Sequence, residues 1–363
     1  MTVRVVFRAD ASARIGFGHL SRAVTLAEAA RGAGADVAIV ASRPDAPARA
    51  FAARLGLDLT AIDAEPGSAE DAARTRDVAG RRAHVVVDGY SLGGAYLAAL
   101  AGEERVVAYV DDLAREAFAC DLVVNPNVSA RAASYASRAP ATVLLVGPSF
   151  ALVAQAFVAA RELRARRGEP LRARRVLVTM GGSDPPGATL GVLRGLAATG
   201  ADELDVRVVV GAANPRSEQV RVAARGLPSA TVLLGVDDMA GELRDTDLVV
   251  TASGVTATEA ACVGVPGVSF AIVDNQEPIA DALAVRGLYE VPHRAEGGAV
   301  DELALGRAVT TLALDAPRRV AMVEAQRRTV DGQGPARVIA RLLALSAADR
   351  HTRRREDDGG DGG

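Results

Sequence analysis

Several short stretches place histidine, carboxylates, amides and glycines where a polar ligand could be bound and activated. The first runs Arg8-Ala9-Asp10-Ala11-Ser12, then Ile15-Gly16-Phe17-Gly18-His19. Its glycines permit close backbone approach, and a helix opening at His19 favours an anion. It is not the dinucleotide fingerprint, since Ser21 stands where the third glycine belongs. His19 reads either as a helix-end surface residue or as an acid–base group sharing a loop with Asp10. The other histidines, His84, His293 and His351, fit a strand start, a loop and a tail. Three further apolar runs end in Asp88-Gly89-Tyr90, Asp111-Asp112 and Asn125-Pro126-Asn127. Each alone is explained by turn and capping chemistry; together they suit hydrogen bonding to a polar ligand such as a sugar.

In the second half, Met180-Gly181-Gly182-Ser183-Asp184 follows one apolar run and Ala252-Ser253-Gly254-Val255-Thr256 another, with Glu259 about one turn into the next helix. Small hydroxyl residues and glycine at a helix start make an anion site from backbone N–H groups; equally, they make a Ser/Thr cap with a capping-box glutamate. Asp274-Asn275-Gln276-Glu277 follows a further run and reads as a cap or a ligand-facing segment. Asp245-Thr246-Asp247 has the form of a metal-binding D-x-D, but it precedes its strand and is expected to be a solvated loop.

The elements that must position these residues alternate. Short β-branched runs (Val3–Phe7, Val37–Val40, His84–Val87, Val106–Val110, Leu122–Val124, Val143–Val146; then Val176–Thr179, Val206–Val210, Thr231–Leu234, Leu248–Thr251, Val268–Val273) read as strands buried on both faces. Between them, helical stretches include His19–Gly32, Asp71–Gly80, Ala188–Ala198, Gln276–Arg286 and Asp301–Leu314. The alternation predicts two doubly wound α/β layers, with ligands beyond the carboxyl ends of the strands. Expected boundaries are an N-terminal domain over 1–155, a linker over 156–174, a C-terminal domain over 175–346 and a disordered Arg-, Asp- and Gly-rich tail over 347–363.

Composition narrows the chemistry. All 42 basic residues are Arg, so P-loop lysine and Schiff-base chemistry are out. The two cysteines, Cys120 and Cys262, are far apart, which gives disulfide frameworks, structural zinc and iron–sulfur clusters no support. A net charge of −3 and an aromatic content of 3% argue against nucleic-acid partners. No apolar run reaches membrane-spanning length, and the first residues read as a strand rather than a signal peptide, so a soluble cytoplasmic protein without cofactor or metal is expected.

The motifs also carry a resemblance. The segment from Gly235 to Met239, the segment Ser253–Glu259 and Gly264-Val265-Pro266 resemble the UDP-binding half of the lipid-II-forming N-acetylglucosaminyltransferase. Over roughly Val3 to Leu343 the chain more closely resembles the UDP-2,4-diacetamido-2,4,6-trideoxy-β-L-altropyranose hydrolase family of pseudaminic acid biosynthesis. The matching pieces are FRADASARIGFGH from Phe7, VDGY ending at Tyr90, VDDLA from Val110, NPN from Asn125, VGPSFAL from Val146, MGGSD from Met180, DNQ ending at Gln276 and DGQGPARV from Asp331. Gly89 stands where that family usually has histidine. A branch of glycosyltransferases and spore-coat polysaccharide proteins is similar at the same motifs.

This resemblance implies a GT-B fold, two Rossmann-like domains facing across a cleft that takes a UDP-sugar. It implies hydrolysis at the anomeric carbon to UDP and free sugar. The alternatives are transfer of the sugar to an acceptor hydroxyl and non-catalytic binding. It further implies His19 as the general base. Arg8, Asp10, Gly16, Gly18, Asp88, Tyr90, Asn127, Asn275 and Gln276 would lie around the sugar. Gly182, Ser183, Ser253, Gly254 and Thr256 would hold the diphosphate, Glu259 the ribose, and the segment of Val236 and Met239 the uracil.

Overall fold

The computed structural model describes residues 2–11, 17–54, 56, 58–102, 104–114, 118–135, 142–182, 184–211, 214–292 and 300–345. The chain forms two compact units. One holds the residues up to Leu152 and the segment that begins at Gln333; the other is Val153–Gly332.

The first unit is built from β1 (Arg4–Ala9), α1 (Gly18–Gly32), β2 (Asp36–Ser42), α2 (Ala46–Arg54), β3 (Leu59–Ile62), α3 (Ala69–Ala79), β4 (His84–Asp88), α4 (Gly94–Leu100), β5 (Val106–Val110), β6 (Leu122–Asn125) and β7 (Val143–Val146). Its sheet is parallel with order β3-β2-β1-β4-β5-β6-β7. Alternate residues of β1 serve opposite faces, as strand geometry requires. Val5, Phe7 and Ala9 pack with Leu20, Val24 and Ala27 of α1, while Val6 joins Leu97 and Leu100 of α4 on the other face.

The second unit continues with α5 (Gln155–Arg167), β8 (Arg175–Thr179), α6 (Ala188–Ala198), β9 (Asp205–Val210), α7 (Ser217–Ala224), β10 (Ala230–Leu234), α8 (Met239–Asp245), β11 (Leu248–Ala252), α9 (Val255–Val263), β12 (Gly267–Phe270), α10 (Glu277–Val285), α11 (Glu302–Leu314) and α12 (Ala316–Thr329). Its parallel sheet has order β10-β9-β8-β11-β12. The last helix, α13 (Gly334–Ala344), returns to the first unit, where Val338, Ile339 and Leu342 join the core beside α1.

Both sheets reverse their strand order once, between β1 and β4 and between β8 and β11. At such a point the following connections leave toward opposite faces and open a crevice at the strands' carboxyl ends. Those are the ends that carry the motifs of the sequence.

Three expectations are corrected. The stretch read as a linker opens, as expected, with a helix, α5, but arginines fasten it to the second unit. Arg161 donates to the carbonyls of Cys262, Arg327 and Val330, Arg164 to those of Thr246 and Gly264, and Arg167 to those of Asp245 and Thr246. These carbonyls lie at the C-terminal ends of α8, α9 and α12, where guanidinium charge meets the negative helix ends. Second, α13 belongs with the first unit rather than with a domain over 175–346. Third, Asp247 is not solvated: it is buried and accepts the N–H groups of Arg174 and Arg175 and a bond from Arg167. The tail from residue 346 lies outside the described residues, and no described helix is long and apolar enough to cross a membrane.

Candidate functional site

In the first unit, β1 leads to α1 and β4 ends on Asp88, so the strand reversal brings His19 and Asp88 together. His19 Nδ1 is 2.6 Å from Asp88 Oδ1. A carboxylate can only accept, so this ring nitrogen carries the proton. In the neutral imidazole Nε2 is then the basic nitrogen, and no described residue bonds it. Tyr90 meets the ring edge-on, with centroids 4.7 Å apart, and is itself 61% exposed.

Two charged residues complete the cluster. Arg22 lies one turn after His19 on α1. Its Nε and Nη2 donate to both oxygens of Asp88 at 2.8 and 2.7 Å, and its Nη1 donates to Asp112 at 2.8 and 3.0 Å. Asp112 also accepts from Asn127 Nδ2 at 3.0 Å and from the Tyr90 hydroxyl at 3.2 Å. Burial would raise the Asp112 carboxyl, but the Arg22 guanidinium and the Asn127 amide hold it below the usual range. Since Asn127 must turn its NH2 to that carboxylate, it keeps its carbonyl oxygen for a ligand.

A buried chain fixes Asn127 from below. The Tyr135 hydroxyl donates to Asp111 at 2.5 Å and accepts from Asn125 Nδ2 at 2.8 Å; Asn125 Oδ1 in turn accepts the Asn127 N–H. Arg22 is absent from the residues singled out in the sequence. Its signal was the i, i+3 spacing from His19, which puts both on one helix face. Asp112 was visible only as a strand-end acid, and Tyr135, in a short turn after the Asn125-Pro126-Asn127 segment, gave no signal.

Arg8 and Asp10 are buried and bind each other. Arg8 is fully buried, bonded through Nη1 and Nη2 to Asp10 and through Nε and Nη2 to Asp71. Asp10 also accepts the N–H of Ser42. The arrangement anchors the loop after β1 to α3 and β2. Removing one partner of such a buried pair costs about 3–5 kcal/mol. Gly18 is exposed at the first turn of α1, and Gly16 lies outside the described residues.

In the second unit the strand reversal sets the loop after β8 beside the start of α9. Their two helix starts differ. At α6, Asp184 accepts the N–H groups of Ala188 and Thr189 at 2.7 and 3.0 Å, so a carboxylate already fills that terminus. At α9 no side chain caps Gly254, and there is no acid in the first turn. The N–H groups of Val255, Thr256 and Ala257 have no partner within the helix. An anion therefore suits α9 and not α6. Gly182 is exposed and lies under Gly211, where an added Cβ would come within 2.1 Å of the Gly182 carbonyl oxygen. Ser183 lies outside the described residues.

Ser253 departs from its expected role. It is buried, its hydroxyl bonds Ser269 at 2.9 Å, and its N–H goes to Phe270. Gln276 stands where an added Cβ on Gly254 would meet its amide nitrogen at 3.4 Å. Its Oε1 accepts the N–H of Ile272, which ends β12 at Phe270 rather than at Val273 and leaves Nε2 as a donor beside the start of α9. Asn275 is exposed in the same turn and Thr256 is half-buried. Glu259 sits one turn into α9 without a hydrogen-bond or ion-pair partner among the described residues, and burial pushes its carboxyl up to about 7. Val236 lines a cavity of about 450 Å³ beside α8, with Arg207, Asp238 and Glu242. Met239 opens that helix, capped by Asp238. Among the described residues no group of three or more His, Cys, Asp or Glu could hold a metal ion.

No protein-family model matches the chain. Over 210 residues it is 30% identical to the spore coat polysaccharide biosynthesis protein SpsG of Bacillus subtilis, a match that takes in 56% of this chain and 59% of SpsG. The chain thus spans less than two thirds of that relative. Among solved structures, MurG of Acinetobacter baumannii superposes with a TM-score of 0.64 at 16% identity, over 95% of this chain and 100% of MurG. The spinosyn rhamnosyltransferase SpnG, complexed with thymidine diphosphate, gives 0.62 at 19% identity, over 94% and 100%. Two parallel-sheet units with these neighbours make the fold GT-B.

Proposed function

We propose that the protein is a glycosyltransferase of polysaccharide biosynthesis that takes a UDP-sugar and passes the sugar to an acceptor hydroxyl. The observation that carries this reading is the His19–Asp88 pair, which leaves one basic ring nitrogen free at the carboxyl end of a parallel sheet. The likeness to SpsG supports polysaccharide biosynthesis, and the thymidine diphosphate in SpnG supports a nucleoside diphosphate as the leaving group.

His19 Nε2 takes the acceptor's hydroxyl proton as its oxygen forms a bond to the anomeric carbon. The bond from that carbon to the phosphate oxygen breaks, and its electron pair leaves with UDP. A glycosidase must protonate a poor leaving group with a second carboxyl. UDP needs only charge stabilisation, which the three open N–H groups of α9 and the amide of Gln276 are arranged to give. Asn127 accepts a hydroxyl or amide N–H of the sugar or acceptor.

Hydrolysis is the second reading, favoured by the FRADASARIGFGH and DNQ motifs; it uses the same residues with water as the nucleophile. A panel of UDP-sugars, assayed with and without polysaccharide fragments as acceptors, separates the readings. UDP release that requires the acceptor is expected. Release at the same rate without acceptor makes the protein a hydrolase, and binding without turnover sinks both.

Glu259 makes nucleotide affinity pH-dependent under this proposal. Its carboxyl titrates near 7, so at pH 8 it is ionised and accepts both ribose hydroxyls strongly, and at pH 6 it is mostly protonated. Calorimetry should show wild-type UDP affinity rising from pH 6 to pH 8 more than that of Glu259→Gln. Equal pH dependence in the two proteins would remove Glu259 from the ribose.

A further inference from the structure

The cluster around His19 holds more charge than a base and its orienting acid require. Among the described residues the imidazole faces Arg22 from its own helix, Asp88 and Tyr90 from the end of β4, and Asp112 from the loop after β5. Two of these four are carboxylates, and Arg22 is the cation between them. All three of its nitrogens are committed: Nε and Nη2 to Asp88, Nη1 to Asp112. Nη2 also lies 3.0 Å from His19 Nδ1. Both groups there are donors turned to the same Asp88 oxygen, so this approach sets positive charge against the ring without a bond. The side chain is 12% exposed, with no nitrogen left uncommitted for a ligand.

We propose that Arg22, backed by Asp112, is a positioning residue for the His19–Asp88 pair: it locks the Asp88 carboxylate through both oxygens and balances the charge the imidazole faces. This role rests on the reading of His19 as the base. The locked carboxylate holds Nδ1–H and so fixes which ring nitrogen is basic. The guanidinium offsets one of the two carboxylates, which together would otherwise favour imidazolium and remove the base. Asp112 holds the guanidinium from the far side, and Asn127 and Tyr90 hold Asp112.

Geometry and charge separate in two variants. Arg22→Lys keeps the charge and loses the fork; Arg22→Ala loses both. The readout that needs no substrate is the nitrogen-15 NMR titration of His19 in the resting protein. Arg22→Ala should move its midpoint up, as unmasking a nearby carboxylate does. Arg22→Lys should leave it near the wild-type midpoint. With a working UDP-sugar, both variants should lower kcat at least tenfold with KM for the nucleotide sugar within threefold, and the acid limb of the kcat profile should follow the NMR midpoint. If Arg22→Ala does not fold, Arg22→Gln, uncharged and of similar size, replaces it with the same expectation. A folded Arg22→Ala or Arg22→Gln with the wild-type midpoint overturns the proposal. If no UDP-sugar is turned over by the wild-type protein, the functional reading fails, yet the titration still decides the role of Arg22.

Discussion

His19→Ala should turn over a UDP-sugar 10²–10⁴-fold more slowly than the wild-type protein, roughly the range a positioned general base contributes, and should bind UDP with unchanged affinity. What the side chain touches is the reason. His19 bonds Asp88 and meets the Tyr90 ring edge-on, both in the first unit, while the uncapped start of α9 lies in the second. Loss of the imidazole therefore removes the proton acceptor and leaves the anion site whole. Asp88→Asn is the stricter test. An amide can present NH2 to Nδ1, which would then have to accept and leave Nε2 carrying the proton, the wrong tautomer for a base. Its kcat should fall almost as far, with the imidazole still in place. A His19→Ala protein with the wild-type kcat would end the catalytic assignment, whatever its UDP affinity.

The strands were legible because burial on both faces writes itself as unbroken Val, Leu and Ile runs. β3 was missed because Thr60 and Ala61 are exposed at the sheet edge and break the run. α2, α4, α7 and α8 lie in stretches left without assignment, and the break expected over 156–174 falls on arginines that bind helix-end carbonyls. The site was legible where chemistry sits at strand ends, as with His19, Asp88, Tyr90 and Asn127, which the structure brings into one network. It was misread where a polar residue turned inward. Arg8 near the end of β1 and Ser253 just after β11 are buried and spend their polar groups on neighbouring protein groups. Spacing alone does not tell a carboxylate-bound arginine from a ligand-binding one, because the partner Asp71 lies 63 residues away.

Gly254→Asp should separate the stability of α9 from its binding. Aspartate is among the best N-cap residues and glycine is poorer only by a few tenths of a kcal/mol, so the variant should be as stable as the wild type or slightly more so. The backbone permits it: Gly254 has φ −144°, open to any residue, and an added Cβ meets only the amide of Gln276 at 3.4 Å. Yet the new carboxylate would occupy the N–H groups proposed to hold the diphosphate and set a negative charge against it. UDP affinity should fall at least 100-fold, about 2.7 kcal/mol at RT ln 10 of about 1.36 kcal/mol per decade. The molecule already contains this comparison, since Asp184 performs the same capping at α6. A converse change at that helix, Asp184→Ala, should cost stability, since the two N–H groups lose their acceptor and a non-glycine residue stays at φ +42°. Thermal unfolding and UDP calorimetry on Gly254→Asp read the two effects with opposite signs. Retained UDP affinity in a folded Gly254→Asp protein would move the diphosphate away from α9, and the second unit would no longer be the part of the molecule that holds the leaving group.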